Sequence, residues 1–170
     1  MNLINKRISY RESFLSIIVA SYNYEQYIGL TLNSLISKTY QNFEIIVVDD
    51  GSKDSSIQII SEYVNRYNNI KLYQHANNSN KGLIASILLG IAKAKGQYIA
   101  FCESDDYWTS DYLEKKVQVI NQYDNVNIIS NDIELIGDND CIKQRKEYIQ
   151  TISLLLKNGY YKRLYDMQQL

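Results

Sequence analysis

The sequence predicts an α/β fold, a mainly parallel sheet with helices on both faces. Two observations carry that reading. Short runs of β-branched and aromatic residues alternate along the chain with segments whose apolar residues recur at helical spacing. Two of those runs also end in acids: Ile45-Ile46-Val47-Val48 in Asp49-Asp50, and Tyr98-Ile99-Ala100-Phe101-Cys102 in Glu103-Ser104-Asp105-Asp106. An apolar run ending in Asp reads as a buried strand whose carboxyl end meets solvent, the edge where open α/β sheets bind ligands.

The elements follow in order. Leu15 to Ala20 is the first strand, and the polar turn Ser21-Tyr22-Asn23 follows it. Ile28, Leu32, Leu35 and Ile36 then repeat as one face of a helix. Glu44 to Val48 is the second strand, punctuated by Gly51-Ser52, with Asp54 or Ser55 as cap for a helix carrying Ile57, Ile60, Val64 and Tyr67. Ile70 to Tyr73 is a third strand, before the polar loop from Asn77 to Gly82. The next helix carries Ile84, Ile87, Leu88 and Ile91 and stops near Gly96. Tyr98 to Cys102 is the fourth strand, and Thr109 or Ser110 opens a helix through Leu113, Val117 and Ile120. Val126 to Ser130 is expected as a fifth strand, and Ile149, Ile152, Leu155 and Leu156 as one more helix.

This organisation divides the chain into an extension over residues 1–13, a main domain over 14–135 and a C-terminal helical segment over 136–170. Three readings of the aromatic and basic stretch Tyr160 to Tyr165 stay open: packing on the domain, peripheral contact with a membrane surface, or the start of a further segment.

Composition narrows the function classes. With 170 residues, 45% hydrophobic and 22% charged, the chain can bury a full core. A formal net charge of −1 gives no footprint for nucleic acid. Two cysteines, Cys102 and Cys141, are too few for a disulfide framework and suit a reduced, cytoplasmic setting. No apolar stretch approaches the ~20 residues that span a bilayer, and Met1 to Glu12 lacks the apolar core of a signal peptide.

The acidic clusters suggest a site for a cation, a nucleotide, or both. Hard divalent cations such as Mg²⁺ or Mn²⁺ take one or two carboxylates together with substrate phosphates. Glu103 and Asp105, two apart, lie on one face of a strand or converge from the turn beyond it. Asp106 is either a third acid of the site or a cap of the turn, and the whole cluster reads equally as a polar loop. At Asp49-Asp50-Gly51-Ser52, an Asp bonding a ribose hydroxyl or a base N–H competes with an Asx-type turn. One aspartate is expected to take the structural part. Tyr22 is placed either to stack on a base or to pack. Neither G-x-G-x-x-G nor G-x-x-x-x-G-K-[ST] occurs. The lone His75 lacks zinc-spaced neighbours and reads as a surface residue, and Cys102 has no base partner.

The order of motifs then becomes recognisable. Ser16-Ile17-Ile18-Val19-Ala20-Ser21-Tyr22-Asn23 is followed by Ser34-Leu35, Thr39-Tyr40, Glu44 to Ser52, Asn80-Lys81-Gly82, and Ala94 to Phe101 running into Glu103 to Trp108. Over roughly residues 14–135 this resembles the nucleotide-sugar-binding half of family 2 inverting glycosyltransferases, which have the GT-A (Rossmann-like) fold. The resemblance implies a nucleoside-diphosphate sugar donor, a UDP-sugar first, and a divalent cation, Mn²⁺ or Mg²⁺. It implies a nucleotide pocket lined by Ala20, Ser21 and Tyr22, with Asp50 on the base or ribose. Asn80, Lys81 and Gly82 would lie near the nucleotide, with Lys81 facing phosphate. Glu103-Ser104-Asp105 stands at the family's D-x-D position, making Asp105 the principal metal ligand, Glu103 its companion and Ser104 a nucleotide neighbour. The acceptor would be a hydroxyl of a glycan, lipid-linked or protein substrate, with transfer at the cytoplasmic face of the membrane.

Three departures from the family pattern stand out. Glu103 replaces an Asp, and Ile87-Leu88 stands where many members carry Arg-Asn. The family's catalytic base and acceptor segment lie well downstream of the acidic motif, and the chain is expected to end before them. Asp132, Asp138, Asp140 and Glu147 are available carboxylates, none in the context of a base. A nucleotide-sugar-binding module without activity is therefore a second reading. A Mg²⁺-binding phosphoacceptor domain is a third, disfavoured because a full strand and helix precede Asp49-Asp50 and no strand-end Lys follows.

Overall fold

The computed structural model describes residues 13–123 and 128–129. Its elements alternate as expected: β1 (Leu15–Ser21), α1 (Ile28–Ile36), β2 (Phe43–Asp49), α2 (Ser56–Arg66), β3 (Ile70–Gln74), a single 3₁₀ turn (Ala76–Asn78), α3 (Leu83–Lys93), β4 (Tyr98–Glu103) and α4 (Tyr112–Gln122). Among the described residues the strands form one parallel sheet of order β3-β2-β1-β4. The expected fifth strand falls mostly outside the described residues. So do the boundary near residue 135, the later helix, the tail, Cys141 and the four downstream carboxylates.

A sheet covered on both faces needs strands that are apolar throughout, not alternating. β2 is buried at every position and β1 at all but Ala20. Ile17, Val19, Ile45 and Val47 point to one face, where they pack with Ile28, Leu32 and Leu35 of α1, Ile60 of α2, and Leu113 and Val117 of α4. The alternate residues point to the other face, against α3.

α3 differs from its expected face. Ser86 and Gly90 are its buried residues, while Ile84 is 75% and Leu88 59% exposed. The branched side chains of β1 force this choice. A Cβ added at Gly90 would lie 2.6 Å from Ile18 Cγ2, so the helix lies close to the sheet only along its small residues. Lys93 Nζ sits 5.4 Å above the Tyr73 ring of β3. Ile84 and Leu88, on the opposite side of α3 from Ser86 and Gly90, point away from the sheet and stay exposed.

At the amino ends of the strands, buried Glu44 ties three elements together. Its carboxylate accepts Ser16 Oγ at 2.8 Å, the Lys95 amide at 2.8 Å and Lys71 Nζ at 3.1 Å. Burial raises the Glu44 carboxyl, but these hydrogen bonds and the lysine charge outweigh it and bring the group below the usual carboxylate range. A carboxylate whose folded value is depressed adds stability above its unfolded value, ~4.3 for Glu, and loses it as pH falls through the folded value. Glu44→Gln should therefore flatten the acid limb of a urea-midpoint profile between pH 3 and 7. Glu44→Ala, which strands three donors, should cost about 1–3 kcal/mol at neutral pH. An acid limb identical to wild type in Glu44→Gln would count against this assignment.

Candidate functional site

β1, β2 and β4 end at one level, because Ser21 pairs with Asp49 and Ala20 with both Val48 and Glu103. The loops leaving this edge converge, and their amides need partners that the strand ladders no longer supply. The residues expected at the site answer that need in different ways.

Asp49 is fully buried and turns the chain. Its Oδ1 accepts the amides of Gly51 at 3.1 Å and Ser52 at 2.9 Å, and its Oδ2 accepts the Ser52 hydroxyl in a short bond. This is the Asx-type turn anticipated for one member of the pair. Asp50 faces the other way. Its amide donates to Ser21 O at 2.8 Å, and its carboxylate accepts Lys81 N–H at 2.7 Å on Oδ1 and Gly82 N–H at 2.8 Å on Oδ2. A carboxylate at the start of α3 also complements the positive end of the helix dipole. Asn80 and Lys81 are exposed beside it.

Gly51 lets these loops meet. Its φ of +83° is left-handed, and a Cβ there would lie 2.8 Å from Asn78 O and 2.9 Å from Asn80 N. Asn77 and Asn78 also carry positive φ values of 59° and 49°, which asparagine tolerates better than other side chains.

The loop after β1 is laced to the start of α2 by reciprocal bonds. Asn23 N–H donates to Ser52 Oγ, and Asn23 Oδ1 accepts Lys53 N–H. Tyr24 N–H donates to Ser56 Oγ, Glu25 N–H to Asp54 Oδ2, and Ser55 N–H returns to Glu25 Oε2. Asp54 also receives Ser56 N–H, so both acids are structural. Ser55 is the residue preceding α2, yet its side chain makes no capping bond. Tyr22 is left outside this lacing with 43% of its surface exposed, while Ala20 lies half-buried at the same edge. Ser21 Oγ is buried with no hydrogen-bond partner among the described residues.

The second cluster contrasts with the first. Ser104 is buried, and its carbonyl accepts Thr31 Oγ1 at 2.9 Å, whereas Glu103 and Asp105 are exposed. Neither of those two carboxylates makes a hydrogen bond or ion pair with another described residue. Burial, then the negative charges of Asp106 and Asp105, raise the Glu103 carboxyl. The Asp105 charge is also the main cause raising the Tyr24 hydroxyl, ahead of burial and Glu103. Burial first, then Asp106 and Glu103, push the Cys102 thiol well up, which leaves it unsuited to nucleophilic work. Among the described residues no three of His, Cys, Asp and Glu gather round a common metal position. Carboxylate oxygens alone, repelling one another without a cation partner, are nevertheless a donor set that fits one hard divalent cation sharing its shell with phosphate.

Two features escaped the sequence reading. Thr31 and Ser34 of α1 and Lys38 just beyond its end all grip the loop after β4. Beside the Thr31 bond, Trp108 N–H donates to Ser34 Oγ at 3.2 Å and Lys38 Nζ to Trp108 O at 2.6 Å. Burial lowers the Lys38 amine. Polar residues at i, i+3 and i+7, running through an apolar helix and just past its end, were the available signal. The second feature is His75, expected on the surface but largely buried against Asp50 and α3. The polar loop around it suggested exposure, and only the parallel pairing of β2 with β3 brings it to Asp50.

Comparison with known proteins places this arrangement. The model of the family described as Glycosyl transferase family 2 matches residues 16–169. An uncharacterized glycosyltransferase of Haemophilus influenzae is 39% identical over 108 residues, covering 64% of this chain and 42% of that protein. The Escherichia coli protein WfaP, named a UDP-Glc:alpha-D-GlcNAc-diphosphoundecaprenol beta-1,3-glucosyltransferase, is 38% identical over 103 residues, covering 61% of this chain and 39% of its own length. The crystal structure of S. aureus TarS 1–349 in complex with UDP-GlcNAc superposes with a TM-score of 0.60 at 29% identity, covering 69% of this chain and 37% of that one. The chain thus spans about two fifths of the length of these relatives.

The contact at Gly51 is open to direct test. Gly51→Ala should cost at least about 1–2 kcal/mol from the left-handed backbone alone, and more because the clash is with backbone atoms of residues 78–80. A urea midpoint equal to wild type would show that the loops do not meet as described.

Proposed function

The chain belongs to glycosyl transferase family 2, and on that premise we propose that residues 14–135 bind a nucleoside-diphosphate sugar together with a divalent cation. The sugar is then transferred, with inversion, to a hydroxyl acceptor. The observation that carries this reading is the division of labour along one sheet edge. Carboxylates consumed by backbone amides stand at one end, and the uncommitted Glu103 and Asp105 stand at the other.

In this reading the nucleoside lies over Ala20, Ser21 and Tyr22. Tyr22 offers an exposed ring for the base, and the orphaned Ser21 hydroxyl, which costs about 1–3 kcal/mol unpaired, gains a partner. Asp50 accepts an N–H or O–H of the nucleoside. Asn80, Lys81 and Gly82 border the nucleotide, with the exposed Lys81 free to reach phosphate. Asp105 and Glu103 hold Mn²⁺ or Mg²⁺, while buried Ser104 fixes the turn that presents them. A cation bound there would neutralise the diphosphate and stabilise it as a leaving group. The rigid turn, gripped by Thr31, Ser34 and Lys38, keeps the two carboxylates in place without reorganisation.

The acceptor segment and the general base lie, on this proposal, well downstream of Glu103-Ser104-Asp105, as the family resemblance implies, and none of Asp132, Asp138, Asp140 and Glu147 is assigned as the base. The name of the E. coli relative supports a UDP-sugar donor and a lipid-linked acceptor, with glycan and protein hydroxyls as other candidates. Such an acceptor suits work at the cytoplasmic face of the membrane. No helix among the described residues is long and apolar enough to cross one.

Calorimetric titration with UDP and other nucleoside diphosphates, with and without Mn²⁺, tests the proposal. Binding should require the cation, and Asp105→Ala should weaken it at least about tenfold, or about 1.4 kcal/mol. A folded chain that binds no nucleotide under any of these conditions would sink the reading. Release of free sugar from the donor then reports whether this chain alone catalyses transfer chemistry.

A further inference from the structure

His75 follows β3 directly, and its imidazole is wedged between the nucleoside end of the edge and α3. Nε2 lies 3.0 Å from Ser86 Oγ and 3.6 Å from Asp50 Oδ1. Only 13% of the His75 side chain and 6% of the Asp50 side chain are exposed. Ser86 is fully buried on α3.

These contacts decide where the imidazole proton sits. A bare nitrogen lone pair this near a carboxylate oxygen would be repelled, so Nε2 carries the hydrogen. It donates to Ser86 Oγ and presents its positive end to Asp50. At 3.6 Å the latter contact is too long for a hydrogen bond and acts as a charge–dipole attraction. Asp50 is therefore fixed from two directions, by the amides that open α3 and by the imidazole that ends β3. An ionised carboxylate offers about four acceptor sites. Lys81 N–H takes one on Oδ1, where the imidazole also lies, and Gly82 N–H takes one on Oδ2. The second lone pair of Oδ2 is the acceptor left for a ligand.

We propose that His75 is a positioning residue for nucleoside recognition. Anchored on Ser86, it sets the orientation of Asp50 so that Oδ2 meets an N–H of the base. This deepens the reading above and rests on Asp50 being the nucleoside contact. The role is indirect: His75 touches Asp50, and Asp50 touches the ligand.

The test compares UDP with inorganic pyrophosphate, which shares the phosphates but has no base. Both affinities are measured by calorimetry in Mn²⁺ on the full chain. His75→Leu should weaken UDP about tenfold, the scale of a hydrogen bond to a charged group, while pyrophosphate changes less than about twofold. His75→Gln, whose amide N–H reaches the position of Nε2–H, should recover most of the loss. Equal losses for the two ligands would mark a merely structural role and overturn the proposal, as would unchanged UDP affinity in His75→Leu. Should His75→Leu fail to fold, Ser86→Ala removes the anchor instead and should lower UDP affinity selectively by about threefold; unaltered selectivity there overturns the proposal equally. Asp50→Asn separates this inference from its premise. If that variant keeps the wild-type preference for UDP over pyrophosphate, or if wild type has none, the Asp50 reading fails and this one with it. If Asp50→Asn abolishes the preference and His75→Leu preserves it, only the role of His75 is refuted.

Discussion

Where parallel strands stop, their amides stop having neighbours, and the chain must satisfy them with side chains or leave them to water. Here the amides of residues 23–25, 51–53, 55–56 and 81–82 find side-chain oxygens: Asp49, Asp50, Ser52, Asp54 and Ser56 on one side, Asn23 and Glu25 on the other. Everything at the carboxyl edge depends on that exchange. It holds the first loop against α2, it fixes the start of α3 to the end of β2, and it spends most of the acids in doing so. Glu103 and Asp105 are acids it leaves unspent.

The second acidic loop is built on another principle. Its backbone is gripped by Thr31 and Ser34 of α1 and by Lys38 beyond it, and Glu103 and Asp105 face outward and repel each other. Two clusters that look alike as strings of residues thus have opposite physical economies. In one the negative charge is neutralised locally by amide dipoles, and in the other no described residue compensates it at Glu103 and Asp105.

Much of this was legible in the sequence. Runs such as Ile45 to Val48 are apolar at every position, which distinguishes a strand covered on both faces from an alternating one and gave the sheet without ambiguity. The unequal roles of Asp49 and Asp50 were also foreseeable as a choice between a turn and a ligand contact, though not the partners of Asp50, which come from residues 31 and 32 positions away. Periodicity misled at α3, because it identifies an apolar stripe but not how close a helix must approach a sheet of isoleucines; Gly90 and Ser86 won on size. His75 was missed for a related reason. Its surroundings along the chain are polar, and its true neighbours, Asp50 and Ser86, are supplied by the pairing of β2 with β3 and the return of α3. The polar stripe of α1 carried a readable signal, yet its purpose becomes plain only once the loop after β4 lies against it.

The reciprocal lacing of the loop after β1 to the start of α2 has a thermodynamic consequence. Those loops hold one another in the folded chain through each other's side chains, with Asn23 settled in a left-handed conformation. Ordering a residue's backbone costs roughly 1–2 kcal/mol, and here the reciprocal bonds offset part of that cost as the chain folds. On the proposed function, little of the interaction energy at this edge would be diverted into freezing these loops.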